Sequence, residues 1–354
     1  MRSGPVVHGV LLAAALGVAW QTWTRDRAAV PARATSPVWP EVGTIEAVTV
    51  KSRLRDVTVE RRSEGGTSYA WATVQKRTPP PKRAIADGGT AANMSVPEDT
   101  GTTTTTAFPV SDEGEKALAR LAGLKALRDL GAQASREEYG LGDESERLAV
   151  KVGGQTHELV VGAKVFGGDD RYVLDPASGH VYVVAAEIMR PFDVPDFSLR
   201  ERRLHAFPMA DVATVTLRGA GGKERTLART PKPVVPAHDG AAAPDRPGGA
   251  TWADVKSADK PDAILATFMD RVEQLAPTEF AQTPDPAALT PVLTVEYHDK
   301  GGAKALGTVE LVKKPGATAA SFDYFVRSER TRGLAKVNAT AAGRIDQDLA
   351  QVLP

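Results

Sequence analysis

PFDVPDFSLRERRLHAFPMADVATVTL, residues 191–217, separates two stretches of the chain that have the same predicted order of elements. Its proline-spaced start, 191–198, predicts extended backbone, and residues 199–205 form a charged connector. Apolar and polar residues then alternate over 212–217, which predicts a β-strand. Strands, a helix and hairpins lie on each side of this segment. The sequence therefore predicts an α+β fold of two tandem, mainly antiparallel units joined at residue 199.

The composition excludes several classes of protein. Lys plus Arg and Asp plus Glu each number 44, so the chain has no basic surplus for binding nucleic acid. There are no cysteines, which excludes disulfides, iron–sulfur clusters, cysteine nucleophiles and thiolate zinc sites. A length of 354 residues exceeds one typical core and suits two domains of ordinary size.

The first residues of the chain form an apolar run. Residues 6–20, VVHGVLLAAALGVAW, are almost entirely apolar, and Trp20 and Trp23 lie where the polar residues begin. At about 1.5 Å per residue, a helix of the roughly 17 to 19 residues from Pro5 to Trp23 only just covers the hydrocarbon core of a bilayer. We predict that residues 1–27 are an uncleaved membrane anchor, in preference to a cleaved signal peptide or a buried core helix. The proline-punctuated residues 28–40 are predicted to be a tether that holds the body outside the cytoplasm.

The first predicted unit covers residues 41–198. Its strands are predicted at 45–51, 56–60 and 69–74, and its hairpins pair 148–152 with 157–161 and 171–174 with 180–184. A helix begins near Ser111 or Asp112, because Asp112 and Glu115 have the spacing of a capping box. Residues 75–110 contain three consecutive prolines and a run of five threonines, and we predict that they are a disordered insertion.

The second predicted unit covers residues 199–354 and contains a flexible insertion at 230–250. Its hairpins pair 211–217 with 225–228, 293–297 with 308–312 and 323–327 with 334–337, and a helix over 339–353 closes the chain. A helix over 260–275 has an apolar stripe that includes Ile264, Leu265, Phe268, Met269, Val272 and Leu275.

The order of elements predicts an internal duplication. The proposed equivalents are Trp71 with Trp252, Leu121 with Met269, Leu127 with Leu275, Leu148 with Leu293, and Tyr172 with Tyr324. The alternative is that two unrelated α+β units share common hairpin patterns.

Several of these features together resemble the bacterial DUF4340 family. They are the Tyr139-Gly140-Leu141 turn, the strands in VVGAKVFGGDDRYVL and GHVYVV, and the segment DFSLRERRLHAFPMADVATVTL. The resemblance implies a membrane-anchored, duplicated α+β body of unknown biochemical activity. It also implies an association with subunits of ABC-type transport systems of the gliding-motility kind. From the N-terminal position of the apolar run, we predict that this body lies in the periplasm, attached to the inner membrane. The two insertions depart from compact members of the family and put contacts made by those loops in doubt.

No pattern of catalytic or metal-binding residues is present. The six histidines form no pair at helical spacing and no HExxH motif, and no serine lies in a nucleophile motif. His157 and His298 are predicted to lie on a solvent face or in a turn. We therefore predict no catalytic residue, no metal and no cofactor.

The densest run of charge, Arg200 to Arg203, predicts a joint between the units. Its candidate residues are Asp193, Asp196, Arg200, Arg202 and Arg203, with the two aspartates as partners for the arginines. The alternative is a solvated connector.

Three functions are compatible with these patterns. The first is a non-enzymatic accessory or scaffold protein that binds transporter subunits. An envelope enzyme acting on peptidoglycan or polysaccharide would need a cleft that gathers acids such as Asp169, Asp170 and Asp175. A glycan-binding module would expose aromatic residues, whereas we expect Trp71, Trp252, Tyr172 and Tyr324 to pack in the core.

Overall fold

A computed structural model describes residues 36–40, 43–79, 101–133, 135–231, 250–280, 284–302, 305–318 and 321–354. This part of the protein is mainly β-sheet with a few helices. Its strands form three antiparallel sheets, of nine, eight and two strands. The predicted α+β class, with mainly antiparallel sheets, is confirmed at this level.

The first large sheet is built from residues of the first predicted unit. Its strands are β2 (Ile45–Lys51), β3 (Arg55–Glu64), β4 (Thr67–Thr78), β5 (Thr102–Pro109), β7 (Arg128–Ala132), β8 (Glu146–Val152), β9 (Gln155–Lys164), β10 (Arg171–Leu174) and β11 (His180–Val184). Their order in space is β5-β4-β3-β2-β8-β9-β10-β11-β7. The small sheet pairs β1 (Ser36–Pro37) with β6 (Lys125–Ala126).

The second large sheet is built from the second predicted unit. Its strands are β12 (Thr214–Gly219), β13 (Glu224–Pro231), β14 (Ala250–Asp254), β15 (Pro277–Glu279), β16 (Thr290–His298), β17 (Ala305–Pro315), β18 (Phe322–Arg327) and β19 (Ala335–Val337). Their order is β14-β13-β12-β16-β17-β18-β19-β15. This repeats the order of the first sheet, strand for strand, except that the first sheet has β5 as an additional edge strand.

The helices lie at corresponding places in the chain. They are α1 (Asp112–Ala119), α2 (Ala186–Asp193), α3 (Pro195–Ser198), α4 (Ala263–Glu273) and α5 (Ala339–Val352). Helix α1 precedes β7 as α4 precedes β15, and α2 follows β11 as α5 follows β19. Side-chain caps fix three of the starts: Ser111 for α1, Asp262 for α4 and Asn338 for α5.

One apolar core runs through both halves of the described chain. It includes Val48 and Leu148 from the first sheet, and Val215 and Tyr297 from the second. The connector contributes Leu204, which is buried. The two large sheets therefore pack against each other through a shared core and are not separated by a flexible linker.

Several predictions about the elements are wrong. Residues 36–40 of the predicted tether belong to the folded body, because Ser36–Pro37 form β1 and Trp39 is buried in the core. Residues 75–78 belong to β4 and residues 102–109 form β5, so the interpretation of 75–110 as disordered is incorrect at both ends, and 80–100 lie outside the described residues. Residues 191–198 are not extended, because α2 continues through Pro191 and α3 begins at Pro195. Ile264 is 55 % exposed and lies outside the buried stripe of α4.

The predicted membrane anchor, residues 1–27, lies outside the described residues, as do tether residues 28–35 and insertion residues 232–249. Among the helices that the structure describes, none is both long enough and apolar enough to cross a bilayer.

Candidate functional site

The predicted joint contains a cluster of ion pairs, here called the Asp112 cluster: Asp112, Glu201, Arg203 and Arg330. Asp112 lies in the first turn of α1, where the helix dipole favours an anion. Arg330 binds its carboxylate in a bidentate manner at 2.6 and 2.8 Å, and Arg203 binds it at 2.7 Å. Because Arg330 lies just beyond β18, the cluster connects the two halves of the protein.

The charges of the Asp112 cluster determine its chemistry. Hydrogen bonds from Arg330 and then from Arg203 lower the pKa of Asp112 to about 2. Glu201 is 2 % exposed and accepts the backbone N–H groups of Arg202 and Arg203, both at 2.9 Å. Asp112 is therefore an anion near neutral pH, and the hydrogen bonds of Asp112 and Glu201 join the connector to helix α1 and to Arg330 of the second half.

The arginines of the charge run have different partners. Arg200 donates to Asp196 at 2.9 Å, which confirms that pairing, and Lys76 binds the same carboxylate. Arg202 lies over the ring of Phe197, with its guanidinium carbon 5.0 Å from the ring centre. Asp112, Glu201, Lys76 and Arg330 were not among the residues predicted for the joint, because their partners lie far away in the sequence or outside the charge run.

Asp193 does not pair with the arginines of the charge run. Its carboxylate lies 3.9 Å from Arg55 and 3.7 Å from Arg171, both of the first sheet. This arrangement joins the start of β3, the start of β10 and the end of α2 at one end of the first sheet.

That end of the first sheet exposes several large apolar side chains. We call them the apolar tip: Leu54, Phe166, Val194 and Phe197. Leu54 precedes Arg55, Val194 follows Asp193, and Phe166 lies in the loop before Arg171. Phe166 is fully exposed and Phe197 is 73 % exposed. The two rings share this end of the sheet but lie beside different strands, Phe166 between β9 and β10 and Phe197 next to Asp196, which pairs with Lys76 of β4. Each ring therefore offers a separate exposed apolar contact.

A slot separates the edge strands of the two sheets. Its walls are residues 104–107 of β5 and residues 278–280, at and after the end of β15, and its volume is about 550 Å³. Arg200 closes one end: its guanidinium lies over Phe108 at 4.9 Å and donates to the Thr278 carbonyl oxygen at 3.3 Å. The connector thus positions two edge strands opposite one another.

A protein-family model matches the part of the chain that contains helix α1 and the connector. The model of a domain of unknown function, DUF4340, matches residues 111–292. The chain belongs to the DUF4340 family. No curated protein and no solved structure matches the chain.

The DUF4340 match begins at Ser111, the cap of α1, and ends within β16. It includes the whole charge run, the turn at Tyr139 and the glycine-bearing strand β9. The structure explains why this turn and this strand occur together. A side chain at Gly162 in β9 would collide with the carbonyl oxygen of Tyr139 and with Leu141. The absence of a Cβ at Gly162 lets the turn pack on the strand.

An aromatic pocket in the DUF4340 chain lies behind the connector. The His205 ring centre lies 4.5 Å from that of Tyr297 and 4.9 Å from that of Phe207. Burial lowers the pKa of His205 to about 4 and raises the pKa of Tyr297. Among the described residues, neither ring nitrogen of His205 has a hydrogen-bond partner. His205 is therefore neutral near neutral pH.

The remaining candidates are dispersed. Asp169 and Asp170 lie in the turn before β10 and Asp175 lies in the turn after it, so the strand separates them. Trp71 and Trp252 are buried, which confirms core packing for both. His157 stacks on Trp39 with ring centres 4.8 Å apart. Within the described ranges, no group of three or more metal-binding side chains is placed to hold an ion.

Proposed function

We propose that this protein is a membrane-anchored accessory protein that binds subunits of an ABC-type transport or motility-linked complex outside the cytoplasm. The observation that carries the proposal is the apolar tip, with Phe166 fully exposed and Phe197 73 % exposed. Aromatic residues are enriched in protein interfaces, where burying them provides much of the binding energy. The tip gives the proposed partner a place to bind.

The position of the tip supports a protein as its partner. Strand β2 begins at Ile45, where the chain enters the first sheet, and ends at Lys51, next to the tip. Seven residues of strand separate these ends by about 20 Å. With residues 1–27 as the proposed anchor, the tip lies at the end of the sheet opposite the entry of the chain, where a partner protein has access to it.

The repeated strand order supports the proposed origin of the fold. Trp71 and Trp252 lie in β4 and β14, and Tyr172 and Tyr324 lie in β10 and β18, which are corresponding strands. We propose that an ancestral unit was duplicated. In this proposal the second copy supports the first, and the first copy carries the partner surface.

The test is chemical crosslinking of the full-length protein in its native membranes, followed by recovery of transporter subunits. Phe166→Ser combined with Phe197→Ser is expected to reduce the recovered subunits about tenfold, because two exposed anchors are lost. Ile264→Ser, which alters an exposed apolar residue of the second half, is the matched control and is expected to leave recovery unchanged. Equal recovery with the tip variant, or no subunit with the wild type, would reject the proposed function.

A further inference from the structure

Two contacts fix the corner between α2 and α3 on the first sheet. Arg55, at the start of β3, donates to the carbonyl oxygen of Asp193. Lys76, in β4, binds the carboxylate of Asp196. Because Arg55 and Lys76 lie directly opposite each other in the two strands, the corner is held across the ends of both strands. The backbone that carries Phe197 is therefore supported by the sheet.

Three side chains of the apolar tip lie at this corner. Leu54 comes just before β3, and its carbonyl oxygen accepts the N–H of Arg77 at 2.8 Å. Val194 lies between α2 and α3, and its carbonyl oxygen accepts the N–H of Phe197 at 2.9 Å. Leu54, Val194 and Phe197 are each more than half exposed, and we call them the Phe197 patch. Phe166 lies beside other strands and is not part of this patch.

Arg202 adds a positive charge to the Phe197 patch. Its guanidinium carbon lies 5.0 Å from the centre of the Phe197 ring, and it donates to the backbone carbonyl oxygen of Asp196 at 3.2 Å. Its backbone is fixed as well, because the carboxylate of Glu201 accepts the N–H of Arg202 at 2.9 Å. Within the described ranges, Arg202 makes no ion pair with a carboxylate. The guanidinium is therefore held beside the ring without an acidic partner.

The surroundings of Phe197 have an excess of positive charge. The carboxylate of Asp196 is bound by both Lys76 and Arg200, and Arg202 lies at the backbone of the same residue. Three cations therefore surround one acid, and two of them, Lys76 and Arg202, are exposed. A partner that carries acidic groups beside apolar ones complements both the charge and the apolar surface of this corner.

We propose that the Phe197 patch and Arg202 bind an acidic, amphipathic segment of a partner protein. An apolar side chain of that segment packs on the patch, and a carboxylate binds Arg202. This inference rests on the proposed function and names the chemistry of its partner. Arginine and aromatic residues dominate the binding energy of many interfaces, and the planar guanidinium matches a carboxylate with two parallel hydrogen bonds. A segment without an acid would leave Arg202 unpaired in the interface, which costs binding energy.

An anionic membrane surface is the alternative occupant of the Phe197 patch. Segments that bind such surfaces carry clusters of about four to eight Lys or Arg residues. Around Phe197, two exposed cations and one carboxylate give far less positive charge, and the whole chain has no formal net charge. A protein segment needs only one carboxylate within reach of Arg202. The balance of charge therefore favours a protein.

Zero-length crosslinking tests the contact between Arg202 and a carboxylate. A carbodiimide joins a carboxylate to an amine only when the two groups touch, and it does not couple a guanidinium. Arg202→Lys therefore introduces a reactive amine at the proposed contact. Arg344→Lys introduces one at an exposed position of α5 in the second half and is the matched control. Both variants are treated as full-length protein in native membranes, and mass spectrometry identifies the crosslinked peptides.

The expected result is a crosslink from position 202 to an Asp or Glu of one partner protein, in a segment that also carries apolar residues. Its yield is expected to exceed that from position 344 about tenfold. Crosslinks from position 202 that reach only lipid, a second copy of the chain or the same chain would overturn the inference.

Charge reversal provides a second measurement. Arg202→Glu is expected to reduce the recovery of the partner about tenfold, because like charges then meet in the interface, whereas Arg344→Glu is expected to stay within about twofold. If Arg202→Glu does not fold, as judged by thermal melting, Arg202→Gln replaces it. Equal recovery with the variants at positions 202 and 344 would contradict a contact between Arg202 and an acid.

The two proposals fail in different ways. If Phe166→Ser combined with Phe197→Ser reduces partner recovery while Arg202→Glu does not, only the inference of an acidic segment falls. If no transporter subunit is recovered with the wild type, the proposed function falls, and with it the inference that rests on it.

Discussion

The two large sheets share a strand order, but their corresponding turns make different contacts. In the second sheet, the turn between β18 and β19 reaches the first half, where Arg330 binds Asp112 and Arg332 lies over the Tyr69 ring at 4.8 Å. Buried Thr331 holds this turn by accepting the N–H of Ser328 at 2.9 Å. The corresponding turn of the first sheet, residues 175–179, is largely exposed. Of these two corresponding hairpins, one therefore joins the two halves and the other faces solvent.

The helices that follow these two hairpins also differ in how completely they cover their sheets. Helix α5 covers the second sheet, and Arg225 donates to the Val352 carbonyl oxygen at its end at 2.9 Å. Its counterpart, α2, is interrupted at Val194 and leads into the short α3, which leaves Phe197 exposed. The same strand order is therefore compatible with a half whose last helix covers its sheet and with a half that leaves an aromatic ring exposed. The differences lie in turns and helix ends and leave the strand order unchanged.

The strongest way to break the link between the halves is to remove Glu201. Glu201→Ala is expected to lower the free energy of unfolding by about 4 kcal/mol, because two backbone N–H groups and part of Arg330 lose a buried acceptor. Urea denaturation measures the change. Glu224→Ala, which removes an exposed partner of Arg218, is the control and should cost less than about 1 kcal/mol. Equal losses would show that the connector does not hold the halves together.

A pH titration tests a feature of the second half. The pKa of His205 is about 4 in the folded protein and about 6.5 when unfolded, so the unfolded chain takes up the proton first. The contribution of the neutral His205 to the free energy of unfolding is fully present above pH 6.5. As the pH decreases towards 4, this contribution falls by about 3 kcal/mol in all. His205→Phe is expected to remove this part of the pH dependence of unfolding.

Phe207→Leu alters the same pocket without removing a titrating group, so it is the control for the histidine. Its stability curve should lie below that of the wild type by a constant amount at every pH. If the free energy of unfolding of the wild type and of His205→Phe changed equally with pH between 4 and 6.5, the burial of a neutral imidazole would be contradicted. Glu329, which accepts the Ala206 N–H at 2.9 Å, and Glu273, whose charge acts on Tyr297 of the same pocket, remain in both variants.

Two glycines sharpen the comparison between corresponding strands. A Cβ at Gly162 in β9 would meet the backbone of Tyr139, whereas one at Gly307 in β17 would meet the ends of the Glu329 and Phe207 side chains, both at 2.8 Å. Side-chain ends move more easily than backbone. Gly162→Ala is therefore expected to cost about 2 kcal/mol in the free energy of unfolding and Gly307→Ala about 1 kcal/mol. The reverse order in denaturant titrations would refute this account of the two strands.

The smallest effect is expected at the apolar tip. Phe166 has no buried surface to lose, so Phe166→Ser should change the free energy of unfolding by less than about 0.5 kcal/mol. Phe322→Ser, in the second sheet, should cost about 1 kcal/mol, because its ring is 41 % exposed and packs near Tyr324. Thermal melting of the two variants measures the difference. A large loss at Phe166 would mean that the ring supports the fold, and the tip would lose its interpretation as a binding surface.

Much of the fold could be predicted because its signals are local. Alternating residues with glycines between them placed β10 and β11 at the positions that the structure gives, and Ser111 marked the start of α1. The candidate joint was found in part. Charge density indicated Arg200 and Asp196, which are four residues apart and pair across one helical turn. Asp193 was assigned to the wrong partners, because Arg55 and Arg171 reach it only through the sheet.

By itself, the sequence determined the hairpins, their repeated order and the mainly antiparallel class, since each depends on neighbours a few residues apart. Tertiary structure alone decided that the threonine run becomes β5, because a strand needs a partner and β4 supplies it. It also decided that Arg330 binds Asp112 across 218 residues of chain. Such pairings depend on how the two sheets pack against each other, and no local pattern of residues records that packing.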